Sequence, residues 1–391
     1  MSFALLALIC AVAILGPLVS LNKVLHVPVV IGELTVGILL GQTGLRMVDA
    51  ADPTLAFMAQ IGFALVMFVA GTHVPVRQKG IGPRLGRGLA RALLVGVLAV
   101  PAGLLIAHLA GNDHGGLYAV LLASSSAGVV MPALGAVTVG TAPGLEMLAQ
   151  LAVADAGCIV ALPLVLDPAH VLRAVLGSLT VLVLAAVFWL LLRWSERAGY
   201  RHRIHELSEE RGLAMELRVT LTMLFVLAAV AASMHVSVML AGFAMGLAMA
   251  AVGEPRRIAH QTFALTEGFF APIFFVWLGA SLDLRTIAGH PQIVVLGLGL
   301  GVAAVLVHSV GVLTRQPWPL AATTSAQLGV PVGAAALGTT MGVLGTGEAT
   351  AMLLGALVTI GVVTVLSGRV GTLVAAPVAA AGTGPGAGPG A

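Results

Sequence analysis

The feature that most constrains this chain is a succession of long apolar segments joined by short connections. Each segment has about 17–25 residues, the length that a helix needs to cross a bilayer. The chain is 59% hydrophobic and 9% charged, which excludes an ordinary soluble domain. We therefore predict an all-α polytopic membrane protein followed by a Gly/Pro/Ala-rich, disordered tail at 371–391. The thirteen predicted transmembrane helices lie at about 3–21, 27–43, 54–72, 89–111, 116–135, 144–166, 170–194, 213–234, 236–252, 262–282, 290–313, 319–343 and 346–368.

The basic residues predict how these segments are oriented. With an outer N-terminus and thirteen spans, most of the 19 Lys and Arg residues fall in inside segments. Arg46, Arg173 and Arg285 fall outside. Because cationic loops resist translocation, this bias predicts an outer N-terminus and a cytoplasmic C-terminus. The net charge of +3 is modest and spread among the loops, so nothing suggests binding to nucleic acid.

One apolar segment, 144–166, carries a single carboxylate, Asp155, near its centre. A charged side chain at that depth costs about 2.5–3.5 kcal/mol on insertion scales, so it tends to face protein or water and to mark an ion or proton path. Asp155 is therefore our first candidate ion ligand. The alternative is a protonated aspartate whose hydrogen bonds are satisfied by a neighbouring helix.

The sequence also contains a weak internal repeat. Residues 27–41 align with 236–250, and the fifth span aligns with the twelfth through Ser124 with Ser325 and Gly128 with Gly329. In both pairings the second segment lies seven spans after the first. Because seven is odd, the two halves are predicted to be inverted relative to each other, with 170–194 as the linker. Chance similarity between apolar segments is the alternative.

The fifth and twelfth spans combine hydroxyls with helix-breaking residues. Proline removes a backbone donor and clashes with the preceding turn, and glycine relaxes the chain further. We therefore predict that both spans are broken near mid-membrane, where freed carbonyls and half-helix ends can hold a cation with help from Ser125 and Ser126. A packing seam of small residues is the alternative. The predicted broken-helix residues are Gly128, Pro132, Gln327, Gly329 and Pro331.

Six stretches together resemble the monovalent cation:proton antiporter family. The similarity is to its second branch, the bacterial sodium/proton antiporter and potassium-efflux type, and covers nearly all of 3–370. The stretches are PVVIGELTVGILLGQTGL (28–45), LLASSSAGVVMPAL (121–134), LAVADAGCIVALPLV (151–165), LAGFAMGLAMA (240–250), FFAPIFFVWLGASLDL (269–284) and TSAQLGVPVGAAALG (324–338).

The resemblance implies a thirteen-helix, inverted-repeat fold with two crossed broken helices. It implies a core of helices at about 89–166 and 290–368 that moves past a panel at about 3–72 and 213–282. The panel would also form the interface of a homodimer, in the cell inner membrane.

The chain departs from this family at two positions. Electrogenic members have two adjacent aspartates in the sixth span and electroneutral members have Asn-Asp, whereas this chain has Ala154 and Asp155. Members also have a Lys or Arg midway along the eleventh span, where this chain has His308. Both ends of the family's core ion pair are therefore missing, and the second aspartate remains.

These observations predict a secondary antiporter that exchanges Na+ (or K+) for H+ by alternating access. Asp155 would bind the cation or a proton in turn, and His308 is a candidate for proton coupling. With one carboxylate we expect electroneutral exchange. We expect no cofactor and no enzymatic activity, because no loop holds a metal cluster, nucleophile motif or phosphate loop. The alternatives are a non-transporting sensor on an antiporter scaffold and a K+/H+ efflux system.

Overall fold

The computed structural model describes residues 1–20, 29–74, 76, 82–130, 141–200, 211, 213–234, 236–253, 256–282, 284–345 and 347–382. Within these ranges every regular element is a helix, as the sequence predicts. Short turns of 3-10 helix lie at Pro168–His170 and Val310–Thr314, and a π-helical turn lies at Thr266–Phe270. The α-helices are Phe3–Ala13, Leu15–Ser20, Val29–Leu40, Pro53–Thr72, Gly82–Ala110, Gly115–Ala123, Ala142–Leu166, Val171–Arg197, Met215–Ser233, Val238–Val252, Arg256–Leu265, Ala271–Ser281, Leu284–Gly289, Pro291–Ser309, Trp318–Thr323, Gly329–Met341 and Glu348–Gly382.

In the described part of the chain, eight helices are long and apolar enough to cross a membrane, and five shorter apolar helices accompany them. The thirteen together lie where the sequence predicts the apolar segments. The shorter ones include both spans that were predicted to be broken. The number of transmembrane crossings itself stays a prediction, because the shorter helices do not reach spanning length alone.

The end of the chain differs from the expectation. The final helix runs to Gly382, so the first part of the tail, predicted to be disordered from residue 371, is helical. The run from 372 to 381 is rich in Ala, Val and Leu, and alanine has the highest helix propensity of all residues. Residues 383–391 lie outside the described residues.

One group of helices, which we call the panel group, packs through small residues. It contains Val29–Leu40, Pro53–Thr72, Val238–Val252 and Ala271–Ser281. A Cβ atom added to Gly37 would lie 2.9 Å from Cα of Gly279, and one added to Gly71 would lie 3.0 Å from Cα of Gly246. Glycine is needed at both contacts because the two backbones approach too closely for a side chain. The repeat aligns Gly37 with Gly246, so these seams support the inverted repeat, which stays a prediction.

A second group, the core group, carries the candidate site residues. It contains Gly82–Ala110, both broken spans, Ala142–Leu166, Pro291–Ser309 and the final helix. The helix Val171–Arg197 contacts Val238–Val252 of the panel group and Ala142–Leu166 of the core group, and it also contacts Met215–Ser233. It therefore lies between the two groups, where the predicted linker belongs. The division into core, panel and linker domains stays a prediction.

Glu146 ties one end of the core group together. It lies in the second turn of Ala142–Leu166, and its oxygens accept from Nη1 of Arg87 at 2.7 Å and Nη1 of Arg91 at 3.0 Å. Arg91 also donates through Nε to Oγ1 of Thr314 at 2.8 Å. These bonds join three elements of the core that are distant in sequence.

Glu348 plays the corresponding part elsewhere in the core group. It is the first residue of the final helix, and its Oε1 lies 2.6 Å from the hydroxyl of Tyr118 and 2.6 Å from Nδ1 of His114. Its Oε2 accepts from the backbone N–H of Gly345 at 2.8 Å. The final helix is therefore fixed to the start of the first broken span.

Candidate ion-binding site

Asp155 lies in the middle of the long helix Ala142–Leu166, which we call the Asp155 helix. The helix begins where Thr141 Oγ1 accepts from the N–H of Gly144 at 3.2 Å, and Pro143 occupies its first turn, where no backbone donor is needed. The Asp155 side chain is buried, with 5% exposed. Among the described residues none donates a hydrogen bond to its carboxylate, so its oxygens are available to a proton or a cation.

The first broken span is interrupted at three consecutive serines. Its first half, Gly115–Ala123, ends at Ser124, whose backbone is extended (φ −72°, ψ 153°), and residues 127–130 are again helical. The hydroxyl of Ser125 donates to the carbonyl oxygen of Leu151 at 3.3 Å. Because Leu151 precedes Asp155 by about one helical turn, this bond joins the break to the Asp155 helix. Ser126 is buried in the same break.

The second broken span is interrupted between Trp318–Thr323 and Gly329–Met341. Residues 324–328 are not helical, and Leu328 has φ −146° and ψ −60°. The backbone N–H of Gln327 donates to Oγ1 of Thr359 in the final helix at 3.2 Å. A side chain of the neighbouring helix thus satisfies a backbone donor that the break leaves without a helical partner.

The breaks fall just before the glycines and prolines that predicted them. Gly128 lies in the helical residues after the first break, and Gly329 is the first residue of the second half-helix. Pro331 is the third residue of that half-helix, where the missing N–H costs no helical bond. Gly128, Gly329 and Pro331 therefore lie at the start of the second half-helices. The polar residues before them form the non-helical segments of the two spans. Pro132 lies outside the described residues.

His308 contacts both breaks. It lies near the end of Pro291–Ser309, is 0% exposed, and has Nδ1 2.9 Å from Oγ1 of Thr324 in the second break. The backbone of Leu122 and Ser124, at the first break, lies beside the ring. The structure therefore brings this predicted proton-coupling residue to the centre of the core. No hydrogen bond joins His308 to Asp155 in the described residues.

Sequence reasoning missed two buried polar residues that extend this contact. Gln150 Nε2 lies 3.3 Å from Thr324 Oγ1, and Gln316 Nε2 lies 3.3 Å from Gln150 Oε1. Gln150 is 0% exposed and Gln316 is 4% exposed. A signal was present at Gln150, because an amide in an otherwise apolar span must find a partner inside the protein. Its link with Gln316 joins positions 166 residues apart, which no local pattern reveals.

The described residues contain no group of three or more His, Cys, Asp and Glu side chains that could hold a metal ion. That Asp155 holds a cation together with hydroxyl and carbonyl oxygens of the breaks stays a prediction. Such neutral oxygens around a single negative charge suit a hard monovalent cation.

Comparison with known proteins identifies the family of this chain. A sequence model of the family described as "Sodium/hydrogen exchanger, transmembrane" matches residues 10–379. The protein named "Putative Na(+)/H(+) antiporter YjbQ" of Bacillus subtilis (strain 168) is 24% identical over 381 residues, covering 91% of this chain and 61% of YjbQ. The glutathione-regulated potassium-efflux system protein KefC of Klebsiella pneumoniae (strain 342) is 27% identical over 294 residues, 69% of this chain and 44% of KefC. The chain therefore spans less than two thirds of these relatives' lengths.

Solved structures show the same fold. The sodium proton antiporter MjNhaP1 of Methanocaldococcus jannaschii, in its structure at pH 8, superimposes with a TM-score of 0.64 at 16% identity, over 95% of this chain and 98% of that one. A second structure of the same protein, from an electron microscopy map, gives a TM-score of 0.67 at 16% identity over 99% and 100%. At this identity the likeness concerns the fold alone.

Proposed function

The chain belongs to the sodium/hydrogen exchanger family, and on that premise we propose that it exchanges a monovalent cation, Na+ first, for H+ by alternating access. One observation carries the proposal. Asp155 is a buried carboxylate without a hydrogen-bond donor among the described residues, and it lies about one turn from the contact that Ser125 makes with the same helix. A carboxylate kept in that condition is suited to bind and release ions rather than to hold helices together.

Competition for this one carboxylate couples the two fluxes. A proton on Asp155 removes the negative charge that attracts the cation, and a bound cation removes the lone pairs that accept the proton. Ser125 and Ser126 would add neutral oxygens to the cation's ligands without changing the charge. One proton is thereby traded for one monovalent cation, so we propose electroneutral exchange.

The glycine seams of the panel group support the part of the proposal that concerns alternating access. Close backbone contacts at Gly37–Gly279 and Gly71–Gly246 favour a panel that moves as one unit. The core group, which carries both breaks and Asp155, would move against it to expose the site to each side in turn. We propose that the panels of two copies form a homodimer in the cell inner membrane, with the N-terminus outside and the C-terminus cytoplasmic.

The relative KefC supplies the observation that favours a second candidate, K+ in place of Na+. The absence of the family's core ion pair, with Ala154 and His308 at its positions, favours a third, a sensor that does not transport. Both are outcomes of the test that follows.

Proton flux into proteoliposomes, measured with a pH-sensitive dye against Li+, Na+ and K+, tests the proposal. If one proton competes with one cation, the half-saturating Na+ concentration rises about tenfold for each unit of falling pH on the acid side. A valinomycin-imposed potential leaves the end point unchanged if exchange is electroneutral. Half-saturation that rises about a hundredfold per unit, or an end point that follows the potential, contradicts one-for-one exchange. Absence of flux with all three cations supports the sensor.

A further inference from the structure

Two methionines of the panel group contact two glycines of the core group. Gly329 and Gly333 are four residues apart in the half-helix Gly329–Met341, so they lie on the same face of it. A Cβ atom added to Gly329 would lie 3.1 Å from Sδ and 3.2 Å from Cε of Met67. One added to Gly333 would lie 3.1 Å from Sδ and 3.2 Å from Cε of Met239. The end of each buried methionine therefore lies against backbone that carries no side chain.

These contacts differ from the glycine seams inside the panel group. Within the panel, backbone packs against backbone, so neither side has an atom that can rotate away. A methionine side chain is unbranched, has three rotatable bonds and adapts to irregular space, so it can follow a surface that shifts. A Cβ atom added to Gly242 would lie 3.1 Å from Cβ of Met67, so the stem of Met67 packs within the panel while its end reaches the core. Because neither methionine nor glycine has a side-chain N–H or O–H, movement at these contacts breaks no side-chain hydrogen bond.

The surroundings of the two contacts are also apolar. Leu328 and Val332, the chain neighbours of the two glycines, line one gap together with Leu34, Ile38 and Leu278 of the panel group. Such contacts have no directional preference, since dispersion and the hydrophobic effect depend on the area covered and not on a fixed angle. The panel can therefore shift along this face of the core without losing a specific bond to these side chains.

We propose that Met67 with Gly329 and Met239 with Gly333 are the sliding contacts over which the core moves during exchange, and that the fit between thioether and bare backbone sets the rate of this movement. The inference rests on the proposed function and goes beyond it by naming residues of both groups that bear the movement. The sliding contacts do not include Asp155. Changes in them should therefore alter the maximal rate of exchange and leave the half-saturating cation concentration unchanged.

Reversible cross-linking of the full chain in proteoliposomes tests whether the sliding contacts move. The two native cysteines, Cys10 and Cys158, are first replaced by serine. Met239→Cys and Gly333→Cys are then introduced together and joined by a short bis-methanethiosulfonate reagent, whose linkages a reductant cleaves. A covalent link prevents the two groups from moving past each other, so we expect Na+-driven proton flux to be lost on cross-linking and to return on reduction.

Leu300→Cys with Gly355→Cys is the matched control, because both positions lie in the core group. A Cβ atom added to Gly355 would lie 3.1 Å from Cβ of Leu300, on the neighbouring helix. The two helices should move together, so the same reagent should leave the flux unchanged. Each protein is compared with itself before and after reduction, which separates an effect of the link from an effect of the substitutions on folding.

Continued exchange by the cross-linked protein overturns this inference and leaves the proposed function standing. A pair of cysteines that cannot be cross-linked contradicts the contact itself. Absence of exchange by the wild type with every cation overturns the proposed function, and this inference with it. Met67→Cys with Gly329→Cys is the second pair, to be used if the first does not fold, and the same outcomes apply to it.

Gly333→Ala tests the fit without a cross-link. The added Cβ atom presses on the end of Met239, and this overpacking should lower the maximal exchange rate by about tenfold at an unchanged half-saturating Na+ concentration. Gly299→Ala, where nothing lies within 4 Å of the added Cβ atom, should leave the rate unchanged. Met239→Ala combined with Gly333→Ala should restore most of the rate, because it removes the atoms that the Cβ atom meets. Equal rates in Gly333→Ala and Gly299→Ala, or no recovery in the double variant, overturn the role of the fit.

Discussion

The buried carboxylates of the core differ sharply between its centre and the helix starts around it. Glu146 accepts from two arginines, and Glu348 from a tyrosine, a histidine contact and a backbone N–H. Asp155, in the centre, accepts from no described residue. All three are at least nine-tenths buried. Burial therefore does not distinguish these three carboxylates, whereas the presence of hydrogen-bond donors among the described residues does.

The physical difference between these carboxylates is the free energy that is lost when a hydrogen-bond or ion-pair partner is removed. Removing a partner from a buried pair leaves an uncompensated charge, which costs about 3–5 kcal/mol. Glu146 and Glu348 therefore hold helices in place and cannot exchange partners readily. No described residue donates a hydrogen bond to Asp155, so we expect that a proton or a cation can bind there and leave without breaking a contact between the described helices. We therefore expect substitutions of Asp155 to affect transport and substitutions around Glu146 to affect stability.

The largest effect is expected from Asp155→Asn. The amide keeps the volume of the side chain but cannot trade a proton for a cation, so we expect cation-driven proton flux to be abolished. Because no described residue donates a hydrogen bond to Asp155, folding and the oligomeric state should match those of the wild type, as read from thermal unfolding and size-exclusion chromatography. Asp167→Asn, the same change at the end of the same helix, should retain flux. Exchange by the purified Asp155→Asn protein would remove this residue from the mechanism.

The next effect concerns stability and uses the two arginines of Glu146. Arg91 is 6% exposed, whereas Arg87 is 74% exposed, although both bind the same carboxylate. Arg91→Gln should lower the free energy of unfolding by about 3–5 kcal/mol, because it leaves buried Glu146 without its buried partner. Arg87→Gln should lower it by no more than about 1 kcal/mol, since exposed ion pairs contribute little. Thermal or denaturant unfolding in detergent compares the two, and equal losses would contradict a distinction based on burial.

Features with a local sequence signal could be predicted, whereas contacts between helices distant in sequence could not. Composition and segment length gave the helices, and runs of serine, glycine and proline gave both broken spans, because these signals are local. Asp155 was recognisable because a lone charge in an apolar span is itself a local anomaly. The partners of Glu146 and the contact of His308 with Thr324 required the fold, because they join residues on different helices. The helical first part of the tail was missed because a Gly/Pro-rich end was given more weight than the alanines before it.

The smallest effect is expected at the hydroxyls of the first break. Ser125 donates to Leu151 O at 3.3 Å, a long bond that leaves its oxygen lone pairs free for a cation near Asp155. Because the hydroxyl would be one of several neutral ligands, Ser125→Ala should raise the half-saturating Na+ concentration by about two- to tenfold. This range corresponds to the net free energy of about one hydrogen bond. Ser126→Ala should act similarly.

Ser178→Ala is the control for this last prediction. Ser178 is also buried but lies in the helix Val171–Arg197, outside the core group, so its removal should leave the half-saturating concentration unchanged. Unchanged values for both Ser125→Ala and Ser126→Ala would take the hydroxyls out of the cation's ligands. The carboxylate of Asp155 and the backbone carbonyls of the breaks would then be the ligands left. A loss of flux in Ser125→Ala as complete as that of Asp155→Asn would contradict the contrast itself, because a neutral ligand would then matter as much as the charge.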